Sequence, residues 1–248
     1  MLQDLTVTGM ILSVQPIGEY DRRVVLLTKE KGKISAFAKG ARRQGSSLLA
    51  ATAPFCFGTF TVYEGRSSYT IRHADIQNYF EALRMDLEGA WYGMYFLEIA
   101  DFYGRENNDE SQMLNLLFVT LKAVEKSQID RMLIRNVFEL KAMVLNGEYP
   151  DFFQCVNCGS EEGICAFFIT QDGVACQACA KTENQGVLLD ESSLYTLQYI
   201  VYSDLRKLYS FTVSPVVLEK VRRVVTLCRG KYIGKTFQAE KLLEEVQQ

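Results

Sequence analysis

Four cysteines in the stretch 155–179 are spaced as metal ligands are. Cys155-x2-Cys158 is followed by seventeen residues and then by Cys176-x2-Cys179, the spacing of paired zinc knuckles. Each pair turns two sulfurs toward one point. Four thiolates then close a tetrahedral shell with no position left for water or substrate. The chemistry implied is structural: one Zn2+ held by Cys155, Cys158, Cys176 and Cys179. Between the pairs, AFFITQDGVA (166–175) reads as a β-hairpin that returns the chain to the metal. The cysteine count is odd, at seven, and four fall in this pattern, so a disulfide framework is not expected. Cys56, Cys165 and Cys228 have no matching partner and read as small apolar residues.

A second stretch, FAKGARRQGSSLLAA (37–51), places Lys39, Arg42 and Arg43 between glycines, with no acid from Lys31 to Thr61. The whole chain carries a formal net charge of −3, yet residues 1–80 hold 10 Lys+Arg against 6 Asp+Glu and the remainder 17 against 24. A basic N-terminal part on an acidic body points to separate partners for the two. On a strand, Lys33, Ser35, Phe37 and Lys39 share one face. Cations beside an aromatic suit a single-stranded nucleic acid, whose phosphates attract charge and whose bases stack. The candidate contacts are Arg22, Arg23, Lys33, Phe37, Lys39, Arg42 and Arg43. The competing structural reading is a solvated edge strand kept soluble by lysine.

Catalysis has little support. The one histidine, His73, falls in an expected strand, and the carboxylates are scattered. G-x-S-x-G, Walker and H-x-E deaminase signatures are missing, so the chain is not expected to be an enzyme. No apolar run approaches a membrane span, and the N-terminus has no basic segment leading into an apolar one, which predicts a cytoplasmic protein.

The elements that must position these residues follow from periodicity. Residues 5–14, 22–30, 33–40, 55–65 and 68–76 read as strands, with GRS (65–67) as a hairpin turn. Five strands in eighty residues predict a small barrel, of which the OB-fold is the five-stranded, nucleic-acid-binding form. Helical spacing then appears over 87–104, 111–126, 130–147, 190–209, 214–232 and 236–246. The dense aromatics Trp91, Tyr92, Tyr95, Phe96, Phe102 and Tyr103 read as helical core. The expected fold is α+β and multidomain: an OB-fold barrel at 1–80, part of a helical bundle at 81–150, an inserted four-cysteine zinc module at 151–186, and C-terminal helices at 187–248 packing on the helical domain.

YDRRVVLLTKEKGKISAFAKGAR, VFELKAMVLNGEYPDFFQCVNCG and GVACQACA, in that order, resemble the RecO family of bacterial DNA-repair proteins. The resemblance covers nearly the whole chain and implies the same architecture. It implies a DNA-binding recombination mediator that binds single- and double-stranded DNA and anneals complementary strands. It also implies work with RecR to help RecA load onto DNA coated by the single-stranded DNA-binding protein, SSB. The family's basic barrel positions fall on Arg22, Lys39, Arg42 and Arg43. Lys122, Lys126, Arg131 and Arg135 are candidates, by charge alone, for the acidic tail of SSB. The alternative class is a zinc-stabilised OB-fold protein that binds RNA or a protein partner in transcription or translation.

Overall fold

A computed structural model describes residues 4–66, 68–126, 128–181 and 186–246; the predicted GRS turn includes Ser67, which lies outside the described residues. The chain divides into two compact units, Met1–Glu125 with Phe237–Gln248, and Lys126–Thr236.

The first unit is built on a closed barrel in the order β1-β2-β3-β5-β4, with β1 Asp4–Ile17, β2 Asp21–Thr28, β3 Gly32–Ala38, β4 Phe57–Glu64 and β5 Tyr69–Asn78. Adjacent strands are antiparallel except β3 and β5, which meet in parallel at Ala36–Tyr69 and Phe37–Thr70 and close the barrel. The period-2 pattern does this work. Val24, Leu26, Ile34, Ala36, Phe60, Val62 and Ile71 turn inward with Val7 and Ile11, while their chain neighbours face out. Where β1 crosses β4, Gly9 lies opposite Gly58. A Cβ on either would stand 2.4 Å or 2.2 Å from a carbonyl oxygen of the next strand, so both positions require glycine. The short helix α1 (Leu48–Ala51) lies between β3 and β4 and was not foreseen.

The same unit continues with α2 (Glu81–Met85), α3 (Leu87–Tyr103) and α4 (Ser111–Glu125). Asp86 caps α3 by accepting from the Gly89 N–H. The expected aromatic core is present: Tyr92, Tyr95, Phe96 and Tyr103 are buried. Phe237, just ahead of the last helix, packs edge-on against Tyr95 and Phe102.

The second unit holds α5 (Arg131–Leu145), a four-stranded sheet and two further long helices. The sheet runs β6-β8-β7-β9, with β6 Asp151–Cys155, β7 Ile164–Phe168, β8 Gly173–Cys176 and β9 Val187–Leu188. The short helix α6 (Gln177–Ala180) follows β8, and then come α7 (Glu191–Tyr202) and α8 (Pro215–Tyr232). The predicted hairpin of 166–175 is β7 and β8, paired antiparallel. Ser214 caps α8 with Pro215 at its first turn, as the sequence predicts. The helix predicted to reach residue 209 stops at Tyr202. There Ser203 turns extended, and the Lys141 ammonium donates to the Val201 and Ser203 carbonyls, both at 2.8 Å. The final helix, α9 (Gln238–Val246), belongs to the first unit and packs on α3. Among the described residues no helix is long and apolar enough to cross a membrane.

Candidate metal centre and nucleic-acid interface

The four predicted ligands converge. The sulfurs of Cys155, Cys158, Cys176 and Cys179 all lie within 4.8 Å of one another. Cys158 Sγ and Cys176 Sγ are 3.7 Å apart. In a regular tetrahedron with metal–sulfur bonds near 2.3 Å, the sulfurs stand about 3.8 Å apart. The first knuckle is shaped by its own backbone. Gly159 N–H donates to the Cys155 carbonyl at 2.8 Å, Cys155 N–H donates to Ser160 O at 2.7 Å, and Gly159 adopts φ +74°. In the second knuckle, Cys176 stands at the N-terminal end of α6.

The electrostatics fit a cation. Burial pushes the Cys155 thiol up, but N–H groups of Cys176, Asn157 and Cys158 aimed at its sulfur more than offset this and bring it to about 6. The Cys179 N–H, with that of Ala178, lowers Cys176 as well. Hydrogen bonds with the neighbouring thiols of Cys158 and Cys176 hold Cys179 up at about 12. The backbone thus favours the deprotonated form at two of the sulfurs. The others resist, because negative charge would accumulate at one point unless a divalent ion neutralised it. The donor set therefore suits a soft or borderline cation. Cys56 and Cys228 are buried elsewhere, and Cys165 is half-buried beside the cluster.

The seven candidate nucleic-acid contacts separate into two groups. Five gather at one end of the barrel. Arg23 lies opposite Phe37 on the outer face of β2 and β3, and its Nε donates to Ser35 Oγ at 2.8 Å. Beyond β3, Lys39, Arg42 and Arg43 are exposed, and the Lys39 ammonium has no partner among the described residues. The loop that carries them is docked on the β1–β2 turn. Gly40 N–H donates to Asp21 Oδ1 at 2.7 Å, and Arg42 N–H to Tyr20 O at 2.8 Å. The Arg43 guanidinium sits 5.2 Å above the Tyr20 ring. Gly40 and Gly45 take φ of +65° and +77°, values that L side chains rarely adopt.

The other two cations are engaged within the fold. Arg22 donates to Leu49 O at 2.7 Å and Thr52 Oγ1 at 3.0 Å, tying β2 to α1. Lys33, at the far end of β3, donates to the Asp101 carbonyl at 2.5 Å and pairs with its carboxylate at 3.1 Å. The six residue steps from Lys33 to Lys39 separate them by about 20 Å along the strand.

Sequence reasoning passed over Tyr20, which is 42% exposed and forms the platform under Arg43. Its phenol is raised chiefly by the hydrogen bond with Glu19, against the pull of the Arg43 charge. It also passed over Tyr63 on β4, whose ring lies 5.2 Å under Arg72. In both cases the signal available was an aromatic at a turn or outward strand position within reach of an arginine. Of the cations considered for an acidic tail, Arg135 is 13% exposed and bound to the buried Glu139 at 2.9 Å, and Lys122 pairs with Glu125 at 2.7 Å. His73 is exposed on β5.

Comparison with known proteins extends over the whole arrangement. Residues 1–80 match the family described as recombination protein O N terminal, and residues 84–240 the one described as recombination protein O C terminal. The chain is 32% identical over 221 residues to a DNA repair protein RecO of Acetivibrio thermocellus, covering 89% of this chain and 88% of that one. A protein of the same name from Alkaliphilus metalliredigens is 31% identical over 218 residues, covering 88% and 89%. One from Bacillus subtilis is 24% identical over 239 residues, covering 96% and 93%.

Proposed function

This chain belongs to the RecO family of DNA repair proteins, and on that premise we propose that it is a non-catalytic recombination mediator whose barrel binds DNA. The observation that carries the reading is the basic loop. Lys39, Arg42 and Arg43 are exposed, and the loop is fixed against the β1–β2 turn at the edge of the face bearing Arg23 and Phe37. Such a loop offers cations to phosphates, and Phe37 with Tyr20 offers rings to bases. Arg22 and Lys33 hold the platform rather than the ligand. Phosphate contacts position a strand without reading it. A strand held in this way keeps its base edges free to meet a complement, which is what annealing requires, and double-stranded DNA offers the same phosphates.

The partners in this reading are single- and double-stranded DNA, RecR and SSB, with RecA loading as the outcome, in the bacterial cytoplasm at the nucleoid. The four thiolates would hold one Zn2+, which closes the shell of the knuckle and takes no part in the binding of DNA. Two assays test the proposal: annealing of complementary DNA and RNA strands, and binding to single-stranded DNA bare or coated with SSB across a salt series. Faster annealing of DNA and retained binding to the coated strand support it. Annealing no faster than the spontaneous rate overturns it, and a preference for RNA does so in favour of the RNA-binding alternative.

A further inference from the structure

The second unit carries an aromatic surface that nothing above uses. Tyr195, Tyr199 and Tyr202 recur at i, i+4 and i+7 on α7 and share one face of it. Tyr195 is 64% and Tyr202 88% exposed, and Phe153 on β6, 41% exposed, faces the same groove. Two grooves flank this ridge. One, of about 680 Å³, is lined by Phe153, Tyr195, Tyr202, Arg206 and Lys207 among others. The other, of about 580 Å³, lies between α7 and the 210–214 segment and is lined by Phe211 and the hydroxyls of Ser192, Thr196, Ser210 and Thr212.

The ridge is held rigidly from behind. The Tyr199 hydroxyl donates to Lys207 O at 3.0 Å and meets Ser210 Oγ at 3.2 Å, and its ring stands edge-on to Phe211 with centroids 5.0 Å apart. Gln198 fixes α7 to β6 through the Phe152 carbonyl at 2.8 Å. Beneath the groove the buried Lys141 ammonium binds the Val201 carbonyl at the end of α7 and that of Ser203 just beyond it, which lines the groove. Two cations, Arg206 and Lys207, line this groove with one carboxylate, Asp204, which pairs with Arg206 at 3.3 Å.

We propose that this face of α7 is a second binding site for single-stranded nucleic acid, with bases stacked on Tyr195 and Tyr202. An apolar protein segment would suit the rings but would leave the exposed Lys207 beside them unmatched. A single strand satisfies both, because it brings π-faces and phosphates together. Tyr195 and Tyr202 are about 10 Å apart along the helix axis, which leaves room for successive splayed bases. Thr196 and Ser210 spend their hydroxyl protons on the Ser192 and Lys207 carbonyls, which leaves the Ser192 and Thr212 hydroxyls of the neighbouring groove as donors that backbone phosphates and sugars accept from. The proposal takes its ligand class from the nucleic-acid reading above but uses none of the barrel residues. A chain with two such sites can hold two strands at once.

The test uses the full-length, metal-loaded chain and a thymidine oligonucleotide carrying 5-iodouracil. Irradiation should link the probe to Tyr195 or Tyr202 as well as to the barrel. The Tyr195→Ala/Tyr202→Ala variant should bind the oligonucleotide less tightly, on the order of tenfold for each stacked base lost. Its salt dependence should not change, because stacking releases no counterions. The Tyr195→Phe/Tyr202→Phe variant should bind as the parent does. Both pairs should keep the parent's thermal midpoint, since the rings are largely exposed.

If the chain binds the probe, crosslinks fall only within residues 4–125, and the alanine variant is unaffected, this site is refuted while the barrel reading stands. Failure of the chain to bind the probe at all removes both. Saturable binding of an acidic peptide at these tyrosines, without any oligonucleotide crosslink, assigns the groove to a protein partner and overturns the proposal.

Discussion

The barrel and the cysteine knuckle present chemistry in opposite ways. The barrel buries Val7, Ile11, Val24, Leu26, Ile34, Phe60, Val62 and Ile71 inside a closed sheet and carries its cations outside. The knuckle's own core is Cys155, Ala166, Phe168, Ala175 and Cys176, so two of its buried residues are ligands. In the barrel, fold and proposed function reside on different side chains. In the knuckle they are the same atoms. Loss of an exposed loop cation such as Arg42 or Arg43 should therefore change binding and spare the fold, whereas loss of a knuckle sulfur should change the fold.

The largest effect should come from breaking the knuckle. Cys176→Ser removes one ligand and one of the few buried groups around it. Structural zinc in small domains contributes about 10–16 kcal/mol to folding, so the knuckle should lose both its metal and its order. Metal content should fall from one ion per chain toward none, and the thermal transition of the second unit should move down. The barrel should still bind DNA. Full occupancy in Cys176→Ser would remove the four-cysteine assignment, and lost DNA binding by an intact barrel would undo the separation drawn above.

Next in size is the basic loop. Each phosphate neutralised on a single strand contributes roughly −0.7 to the slope of log affinity against log salt. Arg42→Ala/Arg43→Ala should flatten that slope by about 1.4 if each guanidinium holds one phosphate. The fold should persist, because both side chains are exposed and the loop keeps its Gly40 N–H–Asp21 and Arg42 N–H–Tyr20 contacts when the Arg42–Gly18 carbonyl and Arg43–Tyr20 ring contacts are lost. An unchanged slope in a folded protein would leave the loop a solubilising feature only.

Lys33→Ala sharpens the contrast within the barrel itself. Its ammonium holds the Asp101 carbonyl and carboxylate, a charge-assisted contact that is 27% exposed on the lysine side. Removal should cost about 1 kcal/mol of stability and leave the salt slope as it was. The opposite result, a flattened slope at unchanged stability, would place Lys33 on the nucleic-acid path.

These contrasts explain what the sequence could and could not disclose. Paired Cys-x2-Cys at metal-ligand spacing admits one residue type, so the convergence of Cys155, Cys158, Cys176 and Cys179 was legible in full. The barrel was legible because inward and outward residues alternate with period 2. The basic loop was legible as charge, but its docking on Tyr20 was not, since nothing local links residue 43 to residue 20. The roles of Arg22 and Lys33 were hidden for the same reason: their partners lie 30 and 68 positions away. The overlong α7 is instructive. Leu205 and Leu208 continue the apolar spacing, and Leu208 is indeed buried. The helix nevertheless ends at Tyr202, because Lys141, 60 positions upstream of Val201, satisfies the terminal carbonyls. Periodicity records burial, and a loop can bury a leucine as well as a helix can.

The smallest effect tests whether the second unit also uses charge for stability. Asp190 caps α7 by accepting from the Ser193 N–H, and Lys220 on α8 donates to its other oxygen. The Lys220 ammonium, then the Ser193 N–H, hold the Asp190 carboxyl down at about 2. An unfolded aspartate titrates near 3.9. Because the folded value is the lower one, ionised Asp190 contributes stability above about pH 4, and this contribution is lost as pH falls toward about 2. The carboxyl is 42% exposed, so solvent screens much of it, and the contribution is below about 1 kcal/mol. Asp190→Asn keeps a capping oxygen and removes only the charge. The variant should be slightly less stable than the parent at pH 7, and the difference should close as pH falls from about 4 to about 2. Any metal held by the knuckle would be released in acid from both proteins alike, so the difference between the two chains is the quantity to follow, by denaturant titration at each pH. A difference that stays constant across that window would mean that the Lys220 ion pair adds nothing to stability and that the cap alone fixes this end of α7.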